Sequence, residues 1–147
     1  MSQAQSDIRL GSKRCLTLEV VKAIAAAAET EAIKNNWKVS IAIVDDGANL
    51  LYLARLDGAQ IASTDVALGK ARTAMRYKRP SKALEDAVAG GRTALVAVPG
   101  ITPLQGAVPI LHEGEIIGAI GVSGVLPAQD EQIAYAGANT LAKLPGK

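Results

Sequence analysis

Phenylalanine is absent from the 147 residues, and the aromatic total is one tryptophan and three tyrosines. A core of stacked rings is excluded, so the interior has to be built from Ala, Val, Ile and Leu. The same shortage removes the stacking platform that single-strand nucleic-acid binders use. The single cysteine, Cys15, excludes an intrachain disulfide and fits a reducing compartment. With one histidine, His112, beside it, the chain lacks the ligand set of a zinc site, and no metal site is expected. No apolar run approaches the roughly 18 residues of a membrane span. The opening residues, Met-Ser-Gln-Ala-Gln-Ser-Asp, are polar and carry no apolar signal-peptide core. These features predict a cytoplasmic protein with no membrane partner. The net charge of +2 is too small an excess for a strong non-specific nucleic-acid binder, so no nucleic-acid partner is expected either. The phosphate-cradling Gly-xxxx-Gly-Lys-(Ser/Thr) pattern is also missing.

What remains is a chain that is 49% apolar and of ordinary size for one domain. Residues 1–15 read as a loose tail and 16–147 as the domain. A first helix is predicted over residues 18–35, capped by Thr17, with Leu18, Val21, Ala25, Ala28 and Ala32 on one face. Residues 39–45 and 50–55 read as a hairpin around Asp46-Gly47. A long helix over 61–78 follows, capped by Ser63 or Thr64. Its expected buried stripe is Ala62, Val66, Gly69, Thr73 and Tyr77. Pro80 stops it, and a short helix over 81–89 ends at Gly90-Gly91. Strands are predicted over 94–98, 107–112 and 115–122, the last two joined by Glu113-Gly114. Pro127 opens a final helix with Ile133, Gly137, Leu141 and Leu144 facing inward. The order α-β-β-α-α-β-β-β-α predicts a mixed α/β (α+β) domain whose five-stranded, largely antiparallel sheet is covered by helices.

Six segments occur in an order that resembles the GlcG/HbpS-like family. They are Val-Asp-Asp-Gly at 44–47, Ala-Arg-Leu-Asp-Gly-Ala at 54–59 and Gly-Lys-Ala-Arg-Thr-Ala at 69–74. Gln-Gly-Ala-Val-Pro-Ile at 105–110, Ile-Gly-Ala-Ile-Gly-Val-Ser-Gly at 117–124 and Asp-Glu-Gln-Ile-Ala at 130–134 complete the set. The resemblance covers about residues 16–143. It implies a profilin-like α-β-α fold and self-association into dimers or larger rings. Family members include haem-binding and haem-degrading proteins, a haem- and iron-handling sensor accessory, a domain of corrinoid adenosyltransferases, and proteins encoded near small-acid catabolism. The resemblance thus implies haem or another small anionic ligand. The chain departs from the pattern at Asn49, taken as a ligand-binding residue at a position where many relatives carry a histidine. With His112 alone, a bis-histidine haem site within one chain is excluded.

The strongest charge feature is Lys70, Arg72, Arg76, Lys78, Arg79 and Lys82, with no acid between residues 70 and 82. Arginines at 72, 76 and 79 share a helical stripe, and guanidinium groups suit carboxylates and phosphates. Lys70, on the packed side next to Gly69, reads as a ligand-binding residue or one half of a structural ion pair. The loop 99–106 is stiff at its prolines and permissive at its glycines, and can present Thr102, Gln105 and the Gly106 backbone to a ligand. Asp45 and Asp57 are turn residues that would act as general bases if the two hairpin edges flanked one pocket. His112, expected near the surface, would serve as an acid, a base or a ligand.

Three readings follow. In the first, a small-ligand-binding accessory protein holds haem, another tetrapyrrole or a related anionic cofactor. Lys70 and Arg76 neutralise its carboxylates and the 102–106 loop closes over it. In the second, a catabolic isomerase or hydrolase acts on a small organic acid, with Asp45, Asp57 or His112 moving protons. In the third, the chain is a structural or regulatory homo-oligomer.

Overall fold

The structure, a computed structural model, describes residues 7–144. The remainder of the expected tail and the last three residues lie outside that range. Residues 8–17 run exposed and without helix or strand, apart from Leu16, which is buried. Helix α1 spans Leu18–Lys34. Thr17 caps it as expected, its hydroxyl accepting from Val20 N at 3.3 Å. That bond satisfies one of the helix's orphan amides. Val21, Ala25, Ala28 and Ala32 are buried together with Ile24, while Leu18 is exposed.

Strands β1 (Ser40–Asp45) and β2 (Leu50–Arg55) form the first hairpin, and β3 (Ala107–His112) and β4 (Glu115–Ser123) the second. The sheet order is β2-β1-β4-β3, every pairing antiparallel. The sheet therefore has four strands, not five. Residues 94–98 were expected as a strand, but Thr93–Ala97 is a 3-10 helix. Gly91 turns at φ +112° and Gly100 at φ +78°, and the residues between these two turns close on themselves instead of pairing with the edge strand β3. They pack beside the short helix α3 (Ser81–Ala89).

Helix α2 spans Ser63–Tyr77. Neither Ser63 nor Thr64 caps it. The N-cap is Ala62, without a side-chain bond, and the Ser63 hydroxyl lies buried 2.7 Å from that of Ser40. The buried stripe is also turned by one residue from the expected one. Ala67, Lys70, Ala71 and Ala74 face the sheet along with Thr73, while Ala62 is exposed and Val66 half-buried. Helix α4 spans Pro127–Ala138, with proline at its first turn as predicted, and burns into the core through Ile133, Ala134 and Gly137. Helices α1 and α4 cover one face of the sheet and α2 the other.

Candidate functional site

Lys70 sits at the centre of the molecule's polar architecture, 3% exposed. Its ammonium donates to Asp130 Oδ2 at 3.1 Å and to the Val122 carbonyl at 3.0 Å. Asp130, equally buried, accepts from Val125 N through its other oxygen at 3.1 Å. Burial pushes the Asp130 carboxyl up from its ordinary value, while Lys70 and the backbone amides of Val125 and Gly124 pull against that rise. A Cβ at Gly106 would stand 2.7 Å from Lys70 Nζ, and Gly106 has φ +140°, so only glycine leaves room for the pair. Lys70, Gly106, Val122 and Asp130 come from four of the six segments quoted above, and all of them meet at this buried pair. Lys70 therefore ties α2 to the start of α4 and the end of β4, with two of its three donors engaged.

The cationic run disperses along the helix rather than forming one stripe. Arg72 Nε donates to the Ala48 carbonyl at 3.2 Å, closing the first hairpin turn against α2. Lys82 pairs with Asp86 at 2.7 Å, and Arg79 Nε donates to the Tyr77 carbonyl. Arg76 has no hydrogen bond or ion pair among the described residues. It stands in the last turn of α2, where Lys78 ends the helix in the left-handed region at φ 55°. Its guanidinium lies over Gly100, so that a Cβ there would be 3.2 Å from Arg76 Nη1. Both line a cleft of about 530 Å³, together with Thr73, Tyr77, Val98, Pro99 and Ile101. That volume suits a small molecule. The loop is held in place by Thr102 N, which donates to Thr73 Oγ1 at 2.9 Å, and the Thr102 side chain fills the space a Cβ at Gly69 would need. Tyr77 is half-buried and its phenol has no hydrogen-bond partner among the described residues. One unpaired guanidinium and one unpaired phenol thus converge on a cleft with apolar walls.

The other predicted residues sit elsewhere. Asp45 caps the first hairpin turn, accepting from Gly47 N and Asn49 N, each at 2.9 Å. Asn49 bonds back to it through its side chain. Asp57 follows β2 at the opposite end of that hairpin, beside Trp37 and Lys38. A six-residue strand of roughly 20 Å separates the two acids, so they do not flank one pocket. Gln105 is engaged at both ends of its reach: its N donates to Glu85 and its Nε2 to Glu131, at 3.0 and 3.1 Å. His112 lines a different cleft, on the α1 side of the sheet. No hydrogen bond or ion pair joins any two of Asp45, Asp57 and His112 among the described residues. Sequence reasoning missed Tyr77 as a cleft residue and Asp130 as the partner of Lys70. Tyr77 was detectable as the aromatic next to Arg76 at the helix end. Asp130, sixty positions from Lys70, carried no local signal.

A family profile described as "Haem degrading protein HbpS-like" matches residues 16–139. The chain belongs to the HbpS-like family. Protein GlcG of Escherichia coli K12 is 48% identical over 112 residues, covering 76% of this chain and 84% of that protein. A double mutant of Streptomyces reticuli HbpS superposes with a TM-score of 0.83 at 38% identity, over 90% of each chain. PduOC, solved as a haem complex, superposes at 0.77 with 25% identity, over 85% of this chain and 94% of that one. The HbpS-like fold therefore extends through α1 to α4, the same span that carries the buried Lys70–Asp130 pair and the Arg76 cleft. No helix among the described residues is long and apolar enough to cross a membrane.

Proposed function

We propose that this chain is a small-ligand-binding protein whose ligand is a flat, anionic cofactor of the haem or tetrapyrrole class, held in the Arg76–Tyr77 cleft. The observation that carries the reading is the unpaired Arg76 guanidinium above the bare face of Gly100. A guanidinium fork takes a carboxylate in two parallel charge-assisted bonds. The lining fits such a group in three respects. Arg76 matches a propionate, Val98, Pro99 and Ile101 supply apolar wall, and the Tyr77 phenol is an oxygen of the kind that ligates haem iron. No imidazole or thiol lines this cleft. Bound haem would supply iron-centred chemistry; the chain's own residues bind, orient and shield it. The likeness to PduOC, solved with haem, and to HbpS supports the ligand class. Lys70 acts indirectly, by fixing α2 so that Arg76 is held in register.

Self-association belongs to the same reading. Ile61, Val96 and Leu104, which are exposed on α2's approach and on the segment leading through the cleft loop, would be covered in a homo-oligomer. Sedimentation velocity tests this, and a monomer at micromolar concentration overturns it.

Haem titration followed in the Soret region tests the ligand. Saturable binding at one haem per chain is expected. Arg76→Leu should weaken it about tenfold or more, in line with the worth of a charged hydrogen bond. Tyr77→Phe should shift the absorbance band with little change of affinity. A featureless, non-saturating response overturns the haem class, and small organic acids would then be screened against Arg76 by thermal shift.

A further inference from the structure

Ile8 is 74% and Leu10 99% exposed, on an arm that precedes the residues matched by the family profile. Two branched aliphatic side chains standing in water two residues apart make an apolar pair with no cover in its own protomer. In an extended arm they share one side and Arg9 takes the other. The arm carries Arg9, Lys13 and Arg14, with no acid from residue 8 to residue 18. Its base is fixed: Lys13 pairs with Asp46 at 2.7 Å, and Leu16 is buried. At that base a second cleft, of about 470 Å³, opens on the α1 side of the sheet. Leu16, Val20, Ile117, Leu141 and Leu144 form apolar walls. His112 lines it at the end of β3, and the turn that follows carries Glu113 and Glu115, both exposed. An apolar cleft bordered by acids thus stands beside a cationic arm that bears uncovered apolar side chains.

We infer that this cleft receives the arm of a second copy of this chain, and that two copies exchange arms reciprocally. Ile8 and Leu10 of the incoming arm lie against the apolar walls, and Arg9 faces outward to the acidic turn. Apolar burial drives the docking, and the opposite charges of arm and turn set its direction. The lining has to supply no donor and no cation. The chain's own arm is the poorer occupant. Residues 13–17 already wall the cleft, so Leu10 would have to double back within Gly11 and Ser12 while Lys13 stays on Asp46. An arm from a second copy enters without that reversal, and a two-fold exchange covers both arms at once. The surface is distinct from Ile61, Val96 and Leu104 and does not depend on what the Arg76 cleft holds.

Cys15, the single cysteine, is exposed and lines the cleft, so its alkylation by iodoacetamide reports on the arm. In the full-length wild type the rate should fall several-fold as protein concentration rises from micromolar to near-millimolar. Leu10→Asp alters a side chain that is already in water, so the fold is kept, and it should react at the fast rate throughout. Ile61→Asp, on the other exposed surface, should keep the wild-type concentration dependence. The occupant is then identified by Leu10→Cys. Oxidised with diamide at high concentration, it should bond to Cys15 of the other copy and give a covalent dimer that a reductant dissolves. Leu10→Cys combined with Cys15→Ser should give no such dimer. A wild-type rate independent of concentration overturns the exchange. So does a Leu10→Cys chain that closes on its own Cys15 as a covalent monomer, which would make the arm a strap of its own protomer.

Discussion

On the α1 and α4 side of the sheet the facing residues are Ile41, Ile43, Val108, Ile110, Ile120 and Val122; on the α2 side they are Ala42, Val44, Ala107, Ala119 and Gly121. The first face is held by volume. Branched side chains fill the layer, and the helices stand off at the distance those side chains set. The second face is held by proximity. A Cβ at Gly121 would collide with the Ala67 carbonyl and come within 2.7 Å of Ala71 N, so helix backbone rests on sheet backbone. The difference places the two clefts. Close seating fixes α2 in register and presents Arg76 and Tyr77 at its far end, beside the 98–101 loop. The thicker layer leaves an apolar gap where α1 begins and the sheet ends, and His112 lines it.

The largest effect is expected where the two sides are tied together. Lys70→Met leaves Asp130 buried without its cation, which costs about 3–5 kcal/mol. Adding Asp130→Asn should recover much of that loss, because the amide still accepts from Val125 N while no charge is stranded. Urea unfolding of the wild type, the single and the double variant measures both steps. A Lys70→Met protein as stable as the wild type would show that α2 needs no clasp.

The faces themselves should then fail in opposite directions. Ile120→Ala removes volume from the branched face and should cost about 2–5 kcal/mol, as a cavity does. Gly121→Ala adds a single methyl group to the close-packed face and should cost about 1–3 kcal/mol, as overpacking does. The same chemical end point, alanine, destabilises from both sides, and only the second variant should also weaken the Arg76 site by lifting α2. Thermal unfolding paired with haem titration separates them. Indifference to Gly121→Ala would mean that the helix rides higher than the structure places it.

Much of this arrangement was legible in the residues. The Thr17 cap, both hairpins, Pro127 and the helix over α2 follow from local chemistry: a hydroxyl before an apolar period, Asp-Gly and Glu-Gly turns, and a fixed proline φ. What escaped depends on tertiary surroundings. Residues 94–98 have a strand's composition but lie between two turns and pack beside α3 instead of pairing with an edge. The α2 stripe was assigned one residue off, because small residues on every side of the helix blur its period. The choice between ligand and ion pair for Lys70 turned on Asp130, which only folding brings near. Arg76 was singled out with five other cations, and only the structure shows that its guanidinium lies unpaired over a cleft, whereas Arg72 and Lys82 are engaged.

The smallest expected effect is a pH dependence at the same clasp. Burial raises the Asp130 carboxyl above its ordinary value of 3.8. In the window between that value and the raised one, the folded chain retains a proton that the unfolded chain has released. Stability therefore falls as pH rises through the window, by about 1.4 kcal/mol for each unit of separation. Below the window both states are protonated and the contribution is level; above it both are ionised and it is level again. Asp130→Asn has no proton to hold. The stability difference between wild type and Asp130→Asn should shrink as pH climbs from the acid side, and then become constant. A difference that widens with rising pH would mean that Lys70 and the two amides outweigh desolvation, and that the pair holds the carboxylate rather than the acid. The α2 side would then be fastened by charge, and not by close packing alone.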